Sequence, residues 1–95
     1  SDQIRLVFAE EADILNIAMF GITAKQWRED NPDLEGNIRD YATINQLICL
    51  SNMESLNSIL IESGLSQQER LLKLNETAIR QMEILENVNK RELIK

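Results

Sequence analysis

Apolar positions recur every three to four residues along most of the chain, which is the spacing of amphipathic α-helices. The pattern predicts a first helix from Glu10 to Phe20. Gly21 follows its last apolar residue, where a left-handed C-cap is expected. Residues 1–8 alternate weakly between apolar and polar, which fits either a short strand or an extended arm.

A short second helix is predicted over residues 24–30. Thr23 precedes it and has the side-chain oxygen of a good N-cap. The helix must end before Pro32, because a proline moves the preceding residue out of the helical region. A turn over residues 33–36 and one further helical turn over 37–42 complete this part of the chain.

The third predicted helix covers residues 44–63, with Thr43 as its N-cap and Gly64 as its terminator. Its apolar residues point in nearly every direction around the helix axis. Such a helix is expected to be buried on several sides, so it is predicted to be the central element of the fold. These apolar residues are Ile44, Leu47, Ile48, Cys49, Leu50, Met53, Leu56, Ile59, Leu60 and Ile61.

The fourth predicted helix begins after a capping-box sequence that runs from Ser66 to Glu69, and continues to about Leu93. At 1.5 Å per residue it is roughly 40 Å long. One stripe is apolar (Leu71, Leu74, Ala78, Met82, Leu85 and Leu93). The side predicted to face solvent is charged or polar (Arg70, Lys73, Glu76, Arg80, Glu83, Asn87 and Lys90).

This fourth helix is long for so small a bundle, so its far end should project or pack on another chain. Two asparagines interrupt the apolar stripe. Asn75 and Asn89 can each set the register of a helix pair, or each can lie at the edge of the stripe in contact with water. The stripe therefore supplies the candidate interface residues, Leu71, Asn75, Ala78, Met82, Leu85 and Asn89.

Composition limits the architecture to one small domain over residues 1–95. The chain has 95 residues, of which 43% are hydrophobic, but only three are glycine and one is proline. Few turn residues argue against an all-β fold. The predicted fold class is all-α, a bundle of three to four helices with a long C-terminal amphipathic helix.

The net charge of −6 argues against binding of nucleic acid or of an anionic membrane surface, since both kinds of binding need clustered Lys and Arg. The excess of acidic residues is explained more simply by a solvated surface that keeps the chain soluble.

Residues for catalysis and metal binding are scarce. The chain has no histidine and a single cysteine, Cys49, which lies in an apolar run and is expected to be a small buried hydrophobe. The carboxylates of Asp30, Asp33 and Glu35 do not have the spacing of a calcium loop. No nucleotide-binding or nucleophile motif occurs in the sequence. We therefore expect no enzyme activity, no catalytic residue, no metal and no cofactor.

No signal peptide and no apolar run of membrane-spanning length is visible in the sequence. A single cysteine excludes an intramolecular disulfide. These features favour a cytoplasmic location without a membrane partner.

The rare residues are concentrated between positions 20 and 50, which contain the only tryptophan, proline, tyrosine and cysteine. Within this stretch Trp27, Arg28, Arg39 and Tyr41 are candidates for a site. They predict either a packed helical corner or an exposed surface that recognises a partner, because interfaces favour aromatic residues and arginine. In the packed corner, Arg39 and Asp40 would hold the turn, as would Arg28 with Glu29 or Asp30.

The same stretch carries a family resemblance. The segments FAEEADILNIAMFGITAKQWR, NPDLEGNIRDYATINQL, NMESLNSILI and GLSQQERL are similar to the C-terminal region of bacterial KilA-N domain proteins, over residues 7–85. The runs FGITAKQW and GNIRDYATI are its most specific part. The resemblance implies a parent protein of phage-related or bacterial origin that binds DNA through an N-terminal KilA-N domain outside this sequence. It supplies no catalytic residues.

Two functions follow as hypotheses. The first is a non-catalytic helical module that oligomerises the parent protein or docks it on a protein partner. The second is an accessory module that contacts nucleic acid directly, through a cluster of Arg5, Lys25, Arg28, Arg39 and Arg70.

Overall fold

The computed structural model describes the backbone of residues 10–94 and the side-chain environments of residues 10–88. The described part is all-α and has no strand. The strand or arm predicted over residues 1–8 lies outside it. The helices are α1 (Ile14–Phe20), α2 (Ala24–Asp30), α3 (Ile44–Glu62) and α4 (Gln67–Ile94), with 3-10 turns at Glu11–Asp13 and Ile38–Tyr41.

The predicted N-caps Thr23 and Thr43 are confirmed, and each is reciprocal. The hydroxyl of Thr23 accepts a hydrogen bond from the Gln26 amide at 3.1 Å, and the Gln26 side chain accepts one from the Thr23 amide at 2.8 Å. Thr43 and Gln46 repeat the arrangement at 3.1 and 2.9 Å. Two orphan amides are thereby satisfied at each helix start, which fixes where α2 and α3 begin.

The predicted stop signals also lie where expected. Gly21 ends α1 with φ +78°, and Gly64 follows α3 with φ +82°. After α3 the amide of Gly64 donates to the carbonyl of Ile61, and the amide of Leu65 donates to that of Leu60. This pair of bonds is the Schellman motif, which reverses the chain and sets α4 back along α3.

The core is formed by α1, α3 and α4. Its buried side chains are Ile14, Ala18, Cys49, Leu50, Met53, Leu71, Leu74 and Ala78. Helix α2 contributes none of them. The seven-residue α1 therefore packs on the antiparallel hairpin of α3 and α4, while α2 belongs to a separate corner.

Helix α1 is covered on two sides. Ile14 and Ala18 face the core, and Asn16 is also buried although it projects from the opposite side of the helix. The Oδ1 atom of Asn16 has no hydrogen-bond partner among the described residues. A short helix enclosed in this way is held by tertiary packing, not by its own propensity.

The prediction that α3 is buried on several sides is wrong. Only Cys49, Leu50 and Met53 of this helix are buried, and all three lie on one side. The α1 and α4 helices cover that side, and no other described helix is placed to cover the rest. Five large apolar residues of α3 are consequently exposed: Ile44, Leu47, Ile48, Ile59 and Ile61.

The amphipathic pattern of α4 is confirmed in its first half. Leu71, Leu74 and Ala78 are buried, and the hydroxyl of Ser66 accepts a hydrogen bond from the Glu69 amide at 3.2 Å, as the capping-box sequence predicts. Arg70 is the exception, because it was expected to face solvent and is instead 7% exposed.

Candidate functional site

Trp27 and Tyr41 form the centre of the predicted corner. Helix α2 carries the tryptophan and the second 3-10 turn carries the tyrosine, and their ring centroids lie 5.4 Å apart at an interplanar angle of 34°. Trp27 is 9% exposed, whereas Tyr41 is 52% exposed. Tilted aromatic pairs at this distance contribute about 0.5–1.5 kcal/mol beyond the burial of their area. Ile38 is buried in the same 3-10 turn.

Arg28 joins the aromatic pair to the loop that follows α2. Its Cζ atom lies 5.0 Å from the centroid of the Trp27 ring, which is within the range of a cation–π contact. Its Nη1 atom donates a hydrogen bond to the carbonyl oxygen of Leu34. The predicted pairing with Glu29 or Asp30 is therefore replaced by a contact across the loop.

The other polar groups of the corner are also used within the chain. The Tyr41 hydroxyl donates to the carbonyl oxygen of Glu35 at 2.7 Å. The Nη1 atom of Arg39 donates to Oε1 of Glu54 at 3.0 Å, which links the corner to α3. Because these donors bind the protein's own loop and α3, the contacts favour a packed corner over a recognition surface.

Asp40 caps the second 3-10 turn, which follows the turn over residues 33–36 that it was predicted to hold. Its Oδ2 atom accepts a hydrogen bond from the Asn37 amide at 2.7 Å, while Oδ1 of Asn37 accepts one from the Arg39 amide at 2.9 Å. Gly36 lies against this pair with φ +86°, and a Cβ atom placed there would collide with the Asp40 carboxylate.

Replacing Gly36 by alanine is therefore expected to lower the free energy of unfolding by about 1–3 kcal/mol, since the new residue is strained and also displaces Asp40. Urea denaturation followed by Trp27 fluorescence measures this loss. Gly21→Ala is the matched control, because Gly21 has a similar φ of +78° but open space around its Cβ position. Equal losses in the two variants would show that the Asp40 contact contributes nothing.

A second cluster, which the sequence did not predict, surrounds Arg70. Its guanidinium forms two hydrogen bonds with the Glu11 carboxylate, one of them between Nη2 and Oε2 at 2.9 Å. It also donates to Oδ1 of Asn57 at 3.0 Å and to the carbonyl oxygen of Leu65 at 3.3 Å. One side chain thus holds together the first 3-10 turn, α3, the loop after α3 and the first turn of α4.

Glu11 and Arg70 each shift the pKa of the other toward its charged form. The hydrogen bond from Arg70 lowers the pKa of Glu11 from 4.5 to about 2, with a smaller contribution from Gln67 and opposition from desolvation. The hydrogen bond to Glu11 raises the pKa of Arg70. Both groups are charged at neutral pH, and the pair acts as a structural clamp.

The predicted interface residues of α4 mostly serve the chain's own core. Leu71 and Ala78 are 6% and 3% exposed, and Met82 packs against the same cluster. Leu85 is half-buried, and the side chain of Asn89 lies outside the described region.

Asn75 is exposed, yet its Nδ2 atom donates to the carbonyl oxygen of Ala18 at 3.0 Å. It therefore binds α1. Since Leu71 and Ala78 are buried within the fold, an interface between chains must use other residues.

Exposed apolar side chains instead gather on the outer side of α3 and the adjoining flank of α4. Nδ2 of Asn52 donates a hydrogen bond of 3.1 Å to Oε1 of Gln81, which links α3 to α4 at this point. Ile48 of α3 and Ile84 of α4 are 42% and 55% exposed. The outer apolar face, as we call it, consists of Ile44, Leu47, Ile48, Ile59, Ile84 and Val88.

Among the described residues, no group of three or more His, Cys, Asp or Glu side chains is placed to hold a metal ion. None of the helices in the described region is both long and apolar enough to cross a bilayer. Cys49 is a free, buried thiol, and burial raises its pKa.

Comparison of the chain with protein-family models, with curated proteins and with solved structures finds no match.

Proposed function

We propose that this chain is a non-catalytic helical module that self-associates through the outer apolar face. The observation that carries the proposal is the exposure of that face. Ile44 is 76% exposed, Ile59 is 58% and Ile84 is 55%. Exposed apolar residues concentrated on one side of a helix are typical of protein interaction sites.

The lack of charge on α3 supports the same proposal. Only two of its 19 residues are charged, Glu54 and Glu62, and Glu54 is engaged by Arg39. A helix that faces only water usually carries charged residues on its outer side. The outer side of α3 has aliphatic residues and serines in their place, which suits contact with another protein surface.

The resemblance to KilA-N proteins supports a role for the module within a larger protein. We propose that it pairs two copies of a DNA-binding parent. Pairing would let the second DNA-binding domain engage at a high effective concentration once the first is bound.

Direct contact with nucleic acid draws less support from the arrangement of the basic residues. Arg39 and Arg70 form ion pairs with Glu54 and Glu11, and Lys25 lies 4.0 Å from Glu29. Arg28 is directed at Trp27 and Leu34. Cations neutralised within the chain contribute little to binding phosphate.

Light scattering across a concentration series tests the proposal. The unmodified chain is expected to show about twice its monomer mass of 10.9 kDa as its concentration rises. The double variant Ile44→Glu/Ile48→Glu should remain monomeric with an unchanged far-UV circular dichroism spectrum, because both side chains are exposed and charge on an apolar interface opposes association.

Leu72→Glu is the matched control, because Leu72 is 64% exposed on α4 and lies outside the outer apolar face. This variant should associate like the unmodified chain. A mass of 10.9 kDa at every concentration would exclude self-association.

A further inference from the structure

We propose that the outer apolar face pairs with the same face of a second copy, with the two α3 helices antiparallel about a two-fold axis that passes between Ser51 and Ser55. This inference rests on the proposed self-association and assigns its geometry. Isologous two-fold pairing is the commonest way in which identical chains associate.

The order of residues along the outer side of α3 suits this arrangement. Three apolar residues occupy the start of the outer side, exposed serines occupy its middle, and a single isoleucine precedes Glu62 at its end. Small residues at the centre let two helix backbones approach closely, and the larger residues then pack on either side. From start to end the outward residues are Ile44, Leu47, Ile48, Ser51, Ser55, Ser58, Ile59 and Glu62.

Antiparallel pairing places complementary residues opposite each other. Ser51 of one copy faces Ser55 of the other, where the two hydroxyl groups can exchange a hydrogen bond. Ile48 then packs against Ile59 of the second copy. In a parallel pair each residue would face its own copy, so that Ile44, Ile48 and Ile59 would each meet themselves, and apolar packing alone does not set the direction.

Charge favours the antiparallel direction. Glu62 is the last residue of α3, where the helix dipole disfavours a carboxylate. In the antiparallel pair it lies beside the first turn of the other α3, where the dipole is favourable for negative charge. In a parallel pair the two Glu62 carboxylates would lie together and repel each other.

The apolar area comes close to what the smallest stable dimers bury. The exposed fractions of the six side chains are 76%, 43%, 42%, 58%, 55% and 45%, which together equal about three whole side chains. At roughly 100 Å² for each aliphatic side chain, two copies would bury at most about 600 Å² of apolar surface, the full amount requiring that the α4 residues Ile84 and Val88 are also covered. Interfaces at the lower end of the stable range bury about 1,200 Å² in total, a little over half of it apolar.

Disulfide trapping tests the geometry. Ser51→Cys and Ser55→Cys are prepared as separate chains, one carrying a size tag, and are mixed in a glutathione redox buffer. We expect the mixture to form a mixed disulfide dimer at least ten times more abundantly than either variant alone, because only residues 51 and 55 approach within the roughly 7 Å between Cα atoms that a disulfide spans.

The unmodified chain is the control for its native thiol, since Cys49 is 0% exposed and should not cross-link. Far-UV circular dichroism verifies that each variant is folded, which is expected because both serines are exposed.

The outcomes separate this geometry from the proposed function. Efficient cross-linking of Ser51→Cys with itself would indicate a parallel pair and overturn the inference. A dimeric mass without the mixed disulfide would also overturn it, while leaving self-association intact. A monomeric unmodified chain would overturn both.

Discussion

Replacing Leu74 by alanine is expected to lower the free energy of unfolding by about 3–5 kcal/mol, the largest effect of any single substitution considered for this chain. Leu74 is fully buried in the core cluster with residues of α1 and α3. The variant loses the transfer free energy of the removed carbons and leaves a cavity that the three helices fill only in part. A domain of this size has a total stability on the order of 5–14 kcal/mol, so the variant should unfold at a much lower urea concentration.

Urea denaturation followed by far-UV circular dichroism measures the loss, and the same helix supplies the control. Leu72 is two residues away and 64% exposed, so Leu72→Ala should change the stability by no more than about 0.5 kcal/mol. If Leu74→Ala is too unstable to give a folded baseline, Ile14→Val removes a single methyl group from the same core and should cost about 0.5–1.5 kcal/mol. Similar losses for Leu74→Ala and Leu72→Ala would contradict the three-helix core.

Helix boundaries were predictable because their causes are local. Thr23, Thr43 and Ser66 place side-chain oxygens beside orphan amides, and Gly21 and Gly64 permit the left-handed conformation that ends a helix. Each of these signals acts within a few residues. Sequence alone therefore predicted the start and end of α2 and α3 to within one residue.

Burial was harder to predict, as α3 shows. Its apolar residues surround the helix, so the sequence does not reveal which side meets the core. The side that is buried depends on how α1 and α4 approach, and α1 is too short to cover more than a part of α3. The apolar excess was visible in the sequence, but its position on one outer face required the structure.

In the candidate site, too, local signals were predictable from the sequence and tertiary contacts were not. Trp27 and Tyr41 stand out as the only residues of their kind, and the structure brings them into contact. The bond partner of Arg28 is a backbone carbonyl, which carries no signal in a sequence. Arg70 was expected to face solvent because its partner Glu11 lies 59 residues away, and no local signal in the sequence links the two.

Replacing Arg70 by alanine is expected to lower the free energy of unfolding by about 2–4 kcal/mol, since removing this buried side chain leaves its partners without their hydrogen bonds. Asn57 and the Leu65 carbonyl lose a charged donor. The Glu11 side chain is 51% exposed and can regain water, which keeps the loss below that of a fully buried pair. Arg80→Ala is the matched control on the exposed side of α4 and should cost no more than about 0.5 kcal/mol.

The pH dependence of the unfolding free energy distinguishes a charged clamp from simple packing by the arginine stem. The pKa of Glu11 is about 2 in the folded chain and 4.5 ordinarily, so the folded state binds fewer protons between these values. The ion pair therefore stabilises the fold fully above about pH 4.5, and its contribution declines as the pH falls toward 2. Over that range the stability difference between the unmodified chain and Arg70→Ala should shrink, while the difference for Arg80→Ala stays constant. A difference for Arg70→Ala that is independent of pH would show that Glu11 is not its electrostatic partner, and that Arg70 stabilises the chain through its aliphatic stem and neutral acceptors alone.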